Sequence, residues 1–196
     1  MEELLQQLRG FRPGNEQEER DRAEMLRRLA SGEALLTRDN ASAHLTASAW
    51  VVNPGRDRVL MAYHNLYNSW AWLGGHADGD ADLQRVALRE VEEESGAAGA
   101  RLLSPDIFSL EILTVDGHEK RGRYVSSHLH LNVTYLVELD DRQTLHNRPG
   151  ENSRVAWFAP EEAVAASTEP WFRERVYAKL NRRLAEFIRR ENRERR

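Results

Sequence analysis

Apolar residues return along this chain at two periods, and the change of period marks out its elements. Leu4, Leu5, Leu8 and Phe11 recur at helical spacing until Pro13-Gly14 interrupts them. Met25, Leu26 and Leu29 form a second stripe among Glu and Arg, so residues 1–37 read as two short helices. From His44 to Asn53 the period drops to two, with Leu45, Ala47, Ala49 and Val51 set against His44, Thr46, Ser48, Trp50 and Val52. That alternation predicts a strand. Asn53-Pro54-Gly55 turns the chain, and Arg58 to His64 predicts a second strand with Val59, Met61 and Tyr63 on one side. Ile107 to Val115 and Ser126 to Leu139 read as further strands. The second is the clearest, with Leu129, Leu131, Val133, Tyr135, Val137 and Leu139 on one face and His128, His130, Asn132 and Thr134 on the other. A short strand, Val155 to Phe158, precedes a helix opened by Pro160. The last helix is expected to start at Pro170 and to bury Phe172, Val176, Leu180, Leu184 and Phe187. The basic tail from Arg189 to Arg196 reads as frayed and solvated.

Between these strands lies the stretch around which the chain is organised, Gly74 to Ala97. A glycine loop opens into a helix carrying Arg89, Glu90, Glu93 and Glu94. At about 100° per residue, the three glutamates project within an arc of about 100°. Ala87, Leu88 and Val91 occupy the neighbouring face and can pack on a sheet. Like charges at helical spacing repel, so such a cluster persists most easily around a cation. Oxygen donors at this density suit a hard divalent ion, Mg²⁺ or Mn²⁺, rather than zinc. The bland alternative is a surface helix rich in Glu and Arg. Charged residues make up 31% of the chain, so the Arg-Glu and Glu-Glu pairs alone decide little. The Gly-Gly turn ahead of them and Gly96 behind them, at fixed distances, favour a functional helix.

These residues resemble the Nudix box, with Gly75, Arg89, Glu90, Val91, Glu93, Glu94 and Gly96 in register and Ala97 at the last apolar place. The chain departs from the pattern at Ala81, where an early Glu belongs. The resemblance implies an α/β fold, a Nudix-like α/β/α sandwich with a mixed sheet. An N-terminal helical extension (1–37) would precede a Nudix-like domain (38–196) that includes the C-terminal helix. It implies a metal-dependent pyrophosphohydrolase acting on a nucleoside diphosphate linked to another moiety. Mg²⁺ or Mn²⁺ would be held by Glu90, Glu93 and Glu94, with the Gly74 carbonyl joining the shell. Glu90, Glu93 or Glu151, the last standing where the family often carries a late-loop acid, would take a proton from the attacking water. Arg89, four residues before Glu93, would orient that carboxylate. The alternative that Ala81 motivates is a catalytically weak or inactive Nudix-fold module that binds or senses a nucleotide.

Other candidates are looser. Asp116 to Tyr124 is a loop with three cations; it reads as a solvated hairpin or, through Arg121 and Arg123, as a phosphate clamp. His128 and His130 share one strand face and, with His76 of the glycine loop, are candidate substrate contacts. The spacing offers the strand pair no third ligand for zinc. Asp80 or Asp82 is expected to cap the box helix. Tyr63, Tyr67, Trp70 and Trp72 read as core or rim rather than as a base-stacking platform. The N-terminal helices read as a structural cap, with a homodimer contact as the sharper alternative.

Composition trims the function classes. Lys and Arg number 28 against 32 Asp and Glu, a net charge of −4, which argues against a nucleic-acid partner. No apolar run approaches a membrane span, and the acidic start, Met1-Glu-Glu-Leu-Leu, is no signal peptide. The chain has no cysteine, which excludes disulfides and thiolate chemistry and fits a cytoplasmic protein. It also disfavours the isopentenyl-diphosphate isomerases that the resemblance brings in, since these rely on a cysteine. The proline that marks some ADP-ribose hydrolases of the family would fall at Leu113.

Overall fold

The computed structural model describes residues 1–120 and 122–194. In chain order the elements are α1 (Glu2–Gly10), α2 (Glu16–Ala30), β1 (Ala43–Val52), β2 (Val59–His64), β3 (Ser69–Ala71), β4 (Leu73–His76) and α3 (Leu83–Ser95). They continue with β5 (Arg101–Leu102), β6 (Ser109–Val115), β7 (His118–Lys120), β8 (Arg123–Val125), β9 (His128–Glu138), β10 (Asn152–Phe158) and α4 (Pro160–Ala166). A π-helical turn, Phe172–Tyr177, leads into α5 (Ala178–Glu194). The class is α/β, as the resemblance implies. The residues gather into two compact units, each drawn from three stretches of chain.

The first unit comprises Met1–Ser48, Gly74–Ala87 and Pro105–Tyr135. Here β4 pairs with β1, and β6 runs antiparallel to β9, with Ser109 opposite Thr134 and Val115 opposite His128. The helix α2 begins because the Asn15 side chain accepts a hydrogen bond from Glu18 N at 2.9 Å. Acidic residues in its first turn and Arg27 and Arg28 in its last oppose the helix dipole. Asp21 then accepts the backbone N–H of Ile112 at 3.0 Å, and Gln17 reaches the Leu110 carbonyl at 3.5 Å. A strand edge with unmet N–H and C=O groups invites stray pairing; α2 covers that of β6. In turn, α1 packs against α2.

The first strand corrects a simple reading of alternation. Both of its faces are buried along its whole length. Its polar positions face other polar groups: Thr46 and Ser48 donate to Asn132 Oδ1 at 3.0 and 2.9 Å, and Asn132 donates to Glu111 Oε2 at 3.2 Å. Ser109, Glu111 and Glu18 extend this buried network. Period-two polarity therefore marks a satisfied interior here, where each hydroxyl has a partner.

The second unit comprises Ala49–Leu73, Leu88–Ser104 and Leu136–Arg196. It holds β10, β2, the C-terminal ends of β1 and β9, and β5, in that order, with β3 beside β2. The strand β2 runs antiparallel to β1 and to β10, with Val52 facing Val59 and Val155 facing Ala62. The fully buried Trp50 ring stacks on Tyr177 at 5.7 Å, and Val176, Leu180 and Leu184 are buried in the same unit. All five tryptophans, at positions 50, 70, 72, 157 and 171, belong to this unit. Trp70 packs edge-on against Tyr63 and Phe158, and the Arg154 guanidinium lies 4.5 Å from the Tyr63 ring. That makes these aromatics packing elements, as expected.

Two expectations for the last helix change. The helix does start at Pro170, but Phe172 and Phe187 are half-buried, and Phe172–Tyr177 is π-helical. The tail read as frayed stays helical through Glu194, and Glu191 lies 3.6 Å from Arg56. Arg56, in a left-handed turn at φ 61°, also pairs with Glu138, whose other oxygen meets Arg101 at 2.5 Å. Among the described residues, no helix is long and apolar enough to cross a membrane.

Candidate active site

The box helix is fixed at both ends by its own sequence. Asp82 accepts the N–H of Arg85 at 3.0 Å, and Asp80 accepts that of Asp82 at 2.9 Å while pairing with Arg85 at 2.6 Å. These aspartates are caps, as predicted. At the other end, Gly96 adopts φ 68° and donates to the Glu92 carbonyl, the left-handed stop that suits glycine. A Cβ at Gly96 would lie 2.8 Å from His146 Cβ, so the glycine also lets the polar loop approach. His146 N donates to the Ser95 carbonyl at 2.7 Å. Asn152 completes the docking: it donates to the Glu94 carbonyl at 3.0 Å and accepts the N–H of Arg148 at 2.9 Å.

This docking delivers a residue that the sequence reading did not single out. The Arg148 guanidinium sits among the carboxylates, 2.6 Å from Glu93, 3.2 Å from Glu151 and 3.9 Å from Glu90. Arg89 flanks the same group, 3.3 Å from Glu90 and 3.8 Å from Glu93. Four of the predicted site residues, Arg89, Glu90, Glu93 and Glu151, are therefore brought together around one cation. Glu94 is buried on the same helix, its carbonyl held by Asn152. Burial, then the charge of Glu93, pushes the Glu90 carboxyl upward, with Arg89 and Arg148 partly offsetting both. Burial pulls Arg148 down, but Glu151, Glu93 and Glu90 together hold it above its ordinary value. Crowded carboxylate oxygens converging on a positive centre form the donor set that a hard divalent cation takes.

The remaining predicted residues lie in the first unit. Gly74 runs against the backbone of β1, where a Cβ would stand 2.6 Å from the Ala47 carbonyl oxygen and 2.7 Å from Ser48 Cα. No larger residue fits that approach. Ala81 lines a small pocket with Leu4, Gln7 and Tyr135, so the place of the early Glu lies beside the N-terminal helix. Arg123 is exposed on β8, which forms a hairpin with β7. This is the ordinary reading of that loop; Arg121 lies outside the described residues. His76, His128 and His130 do come together, and His44 joins them. Ring centroids are 5.1 Å apart for His44 and His76, 5.0 Å for His44 and His130, and 4.9 Å for His76 and His130. His128 Nε2 is 3.2 Å from His130 Nε2. The third imidazole that strand spacing did not offer comes from neighbouring strands.

Against known proteins, the family model of the NUDIX domain matches residues 42–180. The chain belongs to the NUDIX family. It is by that membership a Nudix-type pyrophosphohydrolase. No curated protein matches it significantly. Among solved structures, the chain is similar to a C. elegans Ap4A hydrolase in a binary complex, with TM-score 0.54 and 18% identity over 74% of this chain and 96% of that one. It is also similar to the Nudix hydrolase RenU from M. smegmatis, with TM-score 0.51 and 15% identity over 74% and 85% of the two chains. A MutT protein from Methanosarcina mazei Go1 aligns with TM-score 0.50 and 18% identity over 70% and 92%. At these identities the likeness establishes the Nudix fold.

Within this Nudix chain, Arg148 tests how the acids are balanced. Arg148→Gln is expected to lower stability by about 1 kcal/mol in chelator, the scale of a partly exposed ion-pair network. The same variant should gain a larger thermal shift than the parent on adding Mg²⁺, because carboxylates without their guanidinium repel more. Equal shifts in parent and variant, measured by thermal unfolding with EDTA and with Mg²⁺, would show that Arg148 does not compete for the same oxygens.

Proposed function

We propose that this chain is a metal-dependent hydrolase of a nucleoside diphosphate linked to another moiety, with Mg²⁺ or Mn²⁺ held by Glu90, Glu93 and Glu94. The observation that carries the reading is the convergence of Glu90, Glu93 and Glu151 on one positive centre at Arg148. A divalent ion in that oxygen set supplies neutralisation of the diphosphate oxygens and a lowered water pKa. The chain's own residues do the rest. Glu90, Glu93 or Glu151 accepts the proton of the attacking water, and Arg89 holds Glu93 in place. Arg123 and Arg121 offer guanidinium forks for phosphate oxygens, and His76, His128 and His130 form the polar wall offered to substrate. We assign residues 1–37 as an extension that closes the β6 edge and 38–196 as the Nudix-like domain, and place the protein in the cytoplasm.

A panel of nucleoside diphosphate derivatives incubated with Mg²⁺ or Mn²⁺ tests the proposal. Cleavage at the diphosphate, abolished by EDTA, is the expected result. Nucleotide binding without turnover would overturn it in favour of a sensing module, the reading that Ala81 motivates. Turnover indifferent to chelation would remove the metal from the mechanism.

A further inference from the structure

We propose that His44, His76 and His130 form a second metal site, for one zinc-class divalent ion, distinct in chemistry from the carboxylate cluster. Each of the three rings offers a nitrogen, and these atoms lie within 4.8 Å of one another. Tetrahedral zinc–imidazole bonds place ligand nitrogens about 3.4 Å apart, so small side-chain rotations bring the set to bonding distance. The three ligands come from β1, β4 and β9, rigid strands rather than a loop.

The partners of the rings are those of a ligand set. His44 is buried, and its Nδ1 faces the Asn40 carbonyl at 3.3 Å. That contact assigns the proton to Nδ1 and leaves Nε2 a bare lone pair. His44 Nε2 is buried with no hydrogen-bond partner, a costly state for a polar atom unless something accepts its lone pair. A ring nitrogen tied to a carbonyl, with the other turned to the metal, is the outer-shell pattern of ligating histidines. His128 repeats it one step out: its Nδ1 is 2.8 Å from the Ser126 carbonyl, and its Nε2 faces His130 at 3.2 Å.

Charge agrees with this geometry. Burial first, then the neighbouring His76, His44, His128 and His118, hold His130 down to about 2, and burial also lowers His44. Nitrogen-only donors favour zinc over Mg²⁺. His76 and His130 are half-exposed, so the fourth coordination position opens to solvent.

The test uses the full chain, stripped with EDTA and titrated with Co²⁺ in excess Mg²⁺, then competed with Zn²⁺. The expected result is about one equivalent of tetrahedral Co²⁺, seen in its visible absorption and displaced by zinc but not by Mg²⁺. His76→Ala, on a half-exposed strand end, should weaken Co²⁺ binding by more than about 100-fold, beyond the usual loss from an outer-shell change. His130→Ala should do the same, and Glu93→Gln should leave the spectrum unchanged. Folding of each variant is checked by circular dichroism. Absence of a tetrahedral spectrum, displacement by Mg²⁺, equal binding in folded His76→Ala, or loss in Glu93→Gln would each overturn the proposal.

Discussion

Glu93→Gln is expected to reduce metal-dependent diphosphate cleavage by about 10²–10³-fold, the scale of losing one group that stabilises transition-state charge. Glutamine keeps the shape and removes the charge. The side chain is 40% exposed, so the fold should hold to within about 0.5 kcal/mol. Removing one of three crowded anions also relieves repulsion, while Arg148 keeps Glu151 at 3.2 Å. The loss should therefore appear in kcat and in Mg²⁺ affinity, with thermal unfolding in EDTA nearly unchanged. Turnover equal to that of the parent at saturating Mg²⁺ would exclude Glu93 from the reaction.

Glu138→Gln should have the largest effect on stability, a loss of roughly 2 kcal/mol at neutral pH, because buried Arg56 loses its nearest carboxylate and keeps Glu191 at 3.6 Å and the Asn53 and Pro54 carbonyls. Glu138 and Arg56 are only 12% and 11% exposed. Burial alone would raise the Glu138 carboxyl, but Arg56 and Arg101 outweigh it and hold the group below the usual carboxylate range. A depressed folded pKa contributes stability above the unfolded value, near 4.5, and loses it as pH falls through the folded value. The gap between parent and variant should thus be full at neutral pH and shrink in strong acid, where the parent also protonates. Urea unfolding at both extremes measures it; a pH-independent gap would assign the loss to packing.

Local signals explain what was legible beforehand. The box helix combines a glycine turn, an apolar flank and a left-handed stop within one short stretch, so its caps and three glutamates could be placed by spacing alone. Arg148 could not. It stands 55 residues from Glu93, and only the Asn152 and His146 contacts bring its loop to the helix. The histidine group was half legible: His128 and His130 share a strand face by alternation, but His44 and His76 reach them through strand pairing. Alternation likewise failed to reveal that the polar side of β1 is interior, because Thr46 and Ser48 look the same whether they meet water or Asn132. The π-helical turn before α5 left no mark in a stripe that fits an ordinary helix equally well.

The placement of the indole rings makes the molecule optically lopsided. Every tryptophan lies in the unit that carries Glu90, Glu93 and Arg148, whereas the unit with His44, His76 and His130 holds only Tyr124 and Tyr135 as phenolic chromophores. Tryptophan emission will therefore follow events around the acids, with Trp50 as a shielded, blue-shifted emitter and Trp171 as a quenchable one at 45% exposure.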